Sequence, residues 1–183
     1  IPFYCTKEAF DRNKKRWIEM GKETEGMENE KSSIRKDIAY AAMVEEMDMT
    51  LVAILDALDA KGELENTYVI FTSDNGGGHS ERREVDGEKR RFNGPLQEGK
   101  RSIFEGGIRV PTVISGPGIK AGSQCEVPIV QWDFLSTFHD LSGSKGPLPP
   151  NADGGSLRQV FEKGNQGKVK RVAPGIIHHY TCH

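Results

Sequence analysis

Cysteine is scarce in this chain: Cys5, Cys125 and Cys182 are the only three among 183 residues. Few and scattered, they build neither a disulfide framework nor a zinc knuckle. The odd count leaves one thiol without an intrachain partner, so cysteine usage assigns no redox compartment. Long apolar runs are missing as well. None approaches the ~20 residues needed to span a bilayer, which excludes a membrane-spanning helix. Nor does one sign of charge dominate. Twenty-five basic residues face 27 acidic ones, a net of −2, so bulk charge gives no electrostatic footprint for nucleic acid. Aromatic residues make up only 8%, yet hydrophobic residues reach 36%. That fraction excludes a collagen-like or disordered chain and is enough for a core. The chain starts at Ile1 and stops at His183, soon after the apolar pair Ile176-Ile177. Both ends read as cuts, and the absence of a targeting segment is then uninformative.

What is present falls into segments. Residues 7–37 carry 17 charged side chains among 31 positions. Such a stretch is expected on the surface, as a helix anchored by Phe10, Trp17, Ile18 and Met20 and then a solvated loop. Next, Tyr40, Val44, Met47, Leu51, Ile54, Leu55 and Leu58 recur at three- and four-residue steps. That spacing predicts an amphipathic helix from about Ile34 to Lys61, stopped by Gly62. Asp48, on its acidic face, reads as solvated. Thr67 to Ser73 is β-branched and aromatic without alternation, which predicts a strand buried on both faces of a parallel sheet. A second strand is expected over Arg109–Ser115, closed by the turn Gly116-Pro117-Gly118. Asp133 reads as the N-cap of a helix carrying Phe134, Leu135, Phe138 and Leu141. Gly143 to Gly155 is Gly- and Pro-rich and reads as a connector. The alternation implies an α/β fold with domain bounds at 1–145 and 146–183, the second part being the start of a smaller C-terminal subdomain.

In open α/β sheets, ligands sit beyond the carboxyl ends of strands. That rule selects Asp74 and Asn75, which follow the first strand. A carboxylate beside an amide offers hard oxygens, suited to calcium or magnesium. Gly76, Gly77 and Gly78 let the backbone approach a ligand closely. The same triplet is also ordinary turn chemistry. Further on, Lys100 lies on a glycine-flanked loop before the second strand, where a point charge suits a tetrahedral oxyanion. Glu105 and Arg109 read as an ion pair or loop anchors.

The run Asn66-Thr67-Tyr68-Val69-Ile70-Phe71-Thr72-Ser73-Asp74-Asn75-Gly76-Gly77 resembles a signature block of the sulfatase family. So does Gly99-Lys100 followed by Phe104-Glu105-Gly106-Gly107-Ile108-Arg109-Val110-Pro111. The segments Tyr40–Leu58, Asp133–Gly143 and Asp153–Leu157 resemble family segments in the same order, so the resemblance covers roughly residues 38–160. It implies an alkaline-phosphatase-like domain with a mostly parallel sheet flanked by helices, here truncated. It implies hydrolysis of sulfate esters by a formylglycine nucleophile with a calcium ion, magnesium being possible. By motif match, Asp74 and Asn75 would be metal ligands, and Lys100 would hold a sulfate oxygen and stabilise the leaving oxygen. The implied substrate is a sulfated small molecule or glycan. Export to a periplasmic or extracellular space, or a lysosome-like compartment, is implied too.

The nucleophile motif C-x-P-x-R or S-x-P-x-R is absent. Cys5 is followed by Thr6-Lys7, Cys125 by Glu126-Val127-Pro128 and Cys182 by His183 alone. Ser115-Gly116-Pro117-Gly118 starts like the serine form, but Ile119 stands in place of arginine. The expectation is a fragment, inactive alone, with formylglycine belonging to a missing N-terminal part. Glu98 departs from the family's approach to the lysine and adds a negative charge there. His79, His178 and His179 are candidate substrate contacts, whereas His139 reads as structural. Adjacent histidines on a strand point to opposite faces, so His178 and His179 do not share one metal. The alternatives are a phosphate or phosphonate ester hydrolase of the same superfamily and a non-catalytic sulfated-glycan binder.

Overall fold

The computed structural model describes residues 4–78, 82–85, 88–91 and 93–179. Two compact units divide the chain, Ile1–Glu65 and Asn66–His183.

The first unit is a pair of helices. Helix α1 spans Lys7–Glu19, and Thr6 caps it by accepting from the Ala9 N–H at 3.2 Å. Helix α2 spans Ser33–Ala60, close to the range its periodicity predicts. Gly62 follows with φ 69°, the left-handed stop expected there. Ala9, Met27, Ile38 and Ala42 form the small buried seam. Glu45 of α2 adds a polar clasp: its carboxylate accepts from Asn13 and Arg16, each at 2.8 Å, and Arg12 lies 3.3 Å away. Two expectations fail here. Ile18 and Met20 are exposed rather than anchoring α1, and Tyr40, Val44, Met47 and Ile54 on α2 are exposed too. Residues of small cross-section, Ala9 and Ala42, bring the two helices together instead. The seam therefore follows Ile38, Ala42 and Glu45, off the row of large apolar side chains.

The second unit holds the strands. Strand β1 is Val69–Thr72; β2 is Arg82–Val85 and β3 is Glu88–Arg91. A single helical turn, α3, spans Glu105–Ile108, and strand β4 spans Thr112–Ser115. Helix α4 is Asp133–Leu141 and α5 is Arg158–Lys163. The two expected strands do pair, Val69 with Ser115 through Thr72 with Thr112, but antiparallel. A second antiparallel pair, β2 with β3, lies in the stretch read as a polar loop. No parallel pair occurs among the described residues, so the mostly parallel sheet is not seen. Lack of alternation reports that both faces are apolar; it carries no information on the direction of the neighbouring strand.

The buried centre of this unit is partly polar. Asp133 is fully buried and does not cap α4; Trp132 is the N-cap. Its carboxylate turns away from the helix. It accepts from the backbone N–H groups of Val130 and Gly155, and Arg171 grips both oxygens at 2.9 and 2.6 Å. Thr137 accepts from the Leu157 N–H at 3.0 Å, and Ser136 donates to the Gly154 carbonyl at 2.7 Å. Residues 154–157 are thereby stitched along α4. Leu157 and Phe161 complete the apolar side, with the Tyr68 and Phe161 rings stacked at 5.6 Å.

Candidate active site

The Asp74–Gly78 loop leaves β1 at its carboxyl end. Ser73 holds its start by donating to the Asn75 carbonyl at 2.9 Å. Gln131, at the entrance to α4, donates to the Ser73 carbonyl at 2.7 Å. The Asn75 amide nitrogen donates to Asp74 Oδ1, so the two side chains converge on one point. Asp74 is exposed and Asn75 half-buried, which leaves this polar pair open to a ligand.

The lysine segment lies directly on that loop. Lys100 donates its backbone N–H to the Gly77 carbonyl at 2.7 Å, and Gly76 donates to the Gly107 carbonyl at 2.9 Å. Glycine is required at these crossings. A Cβ on Gly76 would overlap the Gly106 carbonyl oxygen, and one on Gly106 would overlap the Glu98 carbonyl. Two backbones so close leave no volume for side chains. The path around Lys100 is also unusual: Glu98 and Arg101 both sit at positive φ, 63° and 72°. Non-glycine residues there carry strain of about 1–3 kcal/mol, and surrounding contacts must hold it.

Asn93 supplies such contacts. Its Oδ1 accepts from the Gly77 N–H at 2.9 Å, while its Nδ2 donates to the Gly77 carbonyl at 3.2 Å and to the Glu98 carbonyl at 3.1 Å. One amide thus joins the Asp74 loop to the lysine loop. Sequence reasoning missed it, because nothing in the polar stretch after Gly78 marks Asn93 out. The only available signal was its place between the two signature blocks.

The other expected site residues are placed as follows. Lys100 is exposed, its backbone anchored on the Asp74 loop. His178 is exposed and rests against Trp132, ring centroids 6.1 Å apart, one residue from the Gln131 that bonds Ser73. His179 is exposed, with no contact to the site among the described residues. His79 lies outside the described residues. His139 takes the structural role read for it, with Nε2 2.7 Å from the Gly146 carbonyl oxygen. Glu105 and Arg109 form the expected ion pair at 3.5 Å, too exposed to weigh much in stability. Cys5 is a poor nucleophile: burial, then the Glu46 charge, push its thiol up, and Arg35 offsets them only in part.

The donor set at Asp74 and Asn75 fits a hard divalent cation. The Asn75 amide turns its nitrogen to Asp74 Oδ1, so its carbonyl oxygen would join the carboxylate as a ligand only with the amide turned over, and the two oxygens are a fraction of the six to eight that calcium takes. Among the described residues no group of three or more His, Cys, Asp or Glu converges.

Comparison with known proteins identifies the family. The sulfatase family model matches residues 4–144. The steryl-sulfatase of Rattus norvegicus is 35% identical over 144 residues, covering 78% of this chain and 24% of that protein. Arylsulfatase D of Homo sapiens is 35% identical over 143 residues, with coverage of 77% and 23%. A sulfatase of Formosa agariphila is 35% identical over 141 residues, with coverage of 69% and 24%. A solved structure of a protein in complex with its substrate, D-glucosamine-2-N,6-O-disulfate, superimposes with a TM-score of 0.53 at 27% identity. That alignment covers 82% of this chain and 28% of the solved one. The chain belongs to the sulfatase family. It spans about a quarter of the length of the relatives it matches.

Proposed function

We propose that this chain contributes the Asp74–Asn75 and Lys100 portion of a centre that hydrolyses sulfate monoesters, of a carbohydrate or an aryl alcohol. The observation that carries this reading is the backbone bond from Lys100 to Gly77. It holds an ammonium-bearing residue against the loop that presents a carboxylate and an amide. Asp74 and Asn75 would hold a calcium or magnesium ion. Such an ion, when bound, supplies Lewis-acid polarisation of the sulfuryl oxygens.

The chain's own residues do the rest of what is assigned here. Lys100 binds a sulfate oxygen through its ammonium. As the nucleophile's oxygen bonds to sulfur and the sulfur–oxygen bond to the alcohol breaks, negative charge collects on the leaving oxygen. A fixed cation beside that oxygen lowers the energy of the charge-separated state more than that of the bound ester. Using a neutral amide with one carboxylate keeps the centre less negative, so the anionic ester is repelled less. His178, whose ring lies against Trp132 at the entrance to α4, would meet the alcohol portion of the substrate.

The test is Lys100→Ala in the protein that carries this chain, assayed on a small aryl sulfate. Turnover falls by roughly 10²–10³-fold, as for removal of an oxyanion-stabilising group. The melting temperature stays within a degree or two, because Lys100 is exposed and its backbone bond survives the substitution. Turnover equal to the parent protein's would remove Lys100 from the chemistry.

A further inference from the structure

At the end of α4 remote from Gln131 lies an open cleft of about 590 Å³. It is walled by His139 and Asp140 of α4, by Lys145 and Leu148 beyond it, and by Arg158 and Lys170. It is distinct from the Asp74 loop: its lining runs from Ser136 to Lys170 and includes no residue of that loop.

The charge of the cleft runs against that of the chain. The whole chain is net −2. Here three permanent cations, Lys145, Arg158 and Lys170, face one carboxylate. That carboxylate is already engaged. Asp140 accepts from the Ser156 hydroxyl at 2.6 Å and lies 3.1 Å from Arg158 Nε. Arg158 also donates to the Asp140 backbone carbonyl at 2.8 Å, which fixes the guanidinium on the wall. The hydroxyl of Ser156, followed by the Arg158 contacts, holds the Asp140 carboxyl below the usual range, so it stays ionised and paired. Lys145 and Lys170 form no ion pair among the described residues.

Size and lining define the ligand further. The volume lies inside the range of about 300–1,000 Å³ typical of small-ligand clefts. One tetrahedral anion would leave most of it to water, whose share of liquid volume is about 30 Å³ per molecule. Leu148 and the Gly154-Gly155 backbone give an apolar and amide floor. A sugar ring, with apolar faces and a polar rim, suits such a floor.

We propose that this cleft binds a sulfated carbohydrate, with sulfate groups on Lys145 and Lys170 and a ring against Leu148. The choice of sulfate over phosphate rests on the sulfate-ester reading above; the cationic cleft itself does not. Calorimetric titration with a sulfated heparin tetrasaccharide, its desulfated counterpart and sodium sulfate tests it, in the protein that carries this chain. The sulfated tetrasaccharide binds, the desulfated one binds at least tenfold more weakly, and sodium sulfate at matched sulfate concentration does not displace it. Lys145→Ala with Lys170→Ala weakens binding about tenfold, the loss expected for two exposed charge contacts. The same double variant leaves turnover of a small aryl sulfate unchanged, and Lys100→Ala leaves tetrasaccharide binding in place. Unaltered affinity in the double variant overturns the site. So does affinity lost with Lys100→Ala but kept in the double variant, which would put the glycan at the Asp74 loop. Full displacement by sodium sulfate would reduce the cleft to a simple anion site. Tight binding of a phosphorylated tetrasaccharide in place of the sulfated one would spare the cleft and count against the sulfate-ester reading.

Discussion

At the level of single residues, Asp74 and Asn93 do different work on the same loop. Asp74 makes no bond that holds the backbone; its carboxylate accepts only from the adjacent Asn75 amide among the bonds described. Replacing it by alanine therefore leaves the fold intact and removes a hard oxygen donor. Asp74→Ala should lose bound calcium or magnesium, read by elemental analysis after dialysis, with little change in melting temperature. Full metal retention in that variant would take the ligand role from Asp74. Asn93 is the reverse case. Three hydrogen bonds from one amide fix Gly77 and Glu98, and Glu98 is held at φ 63°. Asn93→Ala removes three bonds, of which the one to the Glu98 carbonyl is part-buried, at about 1 kcal/mol. The strained path beside Lys100 then relaxes. The expected signature is a fall in kcat of tenfold or more on an aryl sulfate, with KM changed less, and with Asn93→Asp failing to restore it because its second oxygen cannot donate. Equal loss of stability without a change in kcat would make Asn93 a structural residue only.

Among the elements, the junction of α4 with the segments after it has the greatest energetic weight. Asp133 is fully buried, and the Arg171 side chain is only 13% exposed. Removing the arginine alone strands a buried carboxylate, and breaking such a pair by one partner costs about 3–5 kcal/mol. Arg171→Ala should therefore lower the urea midpoint of the second unit strongly, and Asp133→Asn combined with Arg171→Met should recover much of the loss. A small effect of Arg171→Ala would mean that water reaches the carboxylate. This pair also marks the limit of what the sequence discloses. The span of α2 was legible because apolar spacing near 3.6 persists over many turns, and that of α4 because an acidic residue precedes a compact apolar repeat. The partner of Asp133 was not, since it lies 38 residues away and nothing local announces it. Asp133 at a helix start reads equally well as a cap, and only the fold turns its carboxylate toward Val130 and Gly155. For the same reason β1 and β4 were legible as strands but not as an antiparallel pair. The candidate site was legible through the resemblance of its two blocks to the sulfatase family; that the glycines of those blocks, Gly76, Gly106 and Gly107, sit where two backbones cross closely was not read from the sequence. Asn93 escaped because its bonds depend on where two loops meet.

For the whole molecule, the decisive feature is apolar surface left without cover. Phe71 and Val113 are register partners on β1 and β4, and they are 37% and 65% exposed. Cross-strand partners share a face of the sheet, so this pair forms one uncovered patch. On α4, Leu135 and Phe138 are exposed as well. A two-stranded sheet has little stability of its own in water and needs packing on a face. Patches of this kind on soluble chains mark interaction surfaces or promote association. The 183-residue chain, prepared by itself, should therefore enhance the fluorescence of the dye ANS and sediment with a weight that rises with concentration. Phe71→Thr with Val113→Thr places strand-favouring β-branched residues at both positions while removing the apolar patch. That variant should lower dye binding and association while leaving the far-ultraviolet circular dichroism unchanged. A chain that binds no dye and stays monomeric at high concentration would show that these faces are covered within the molecule.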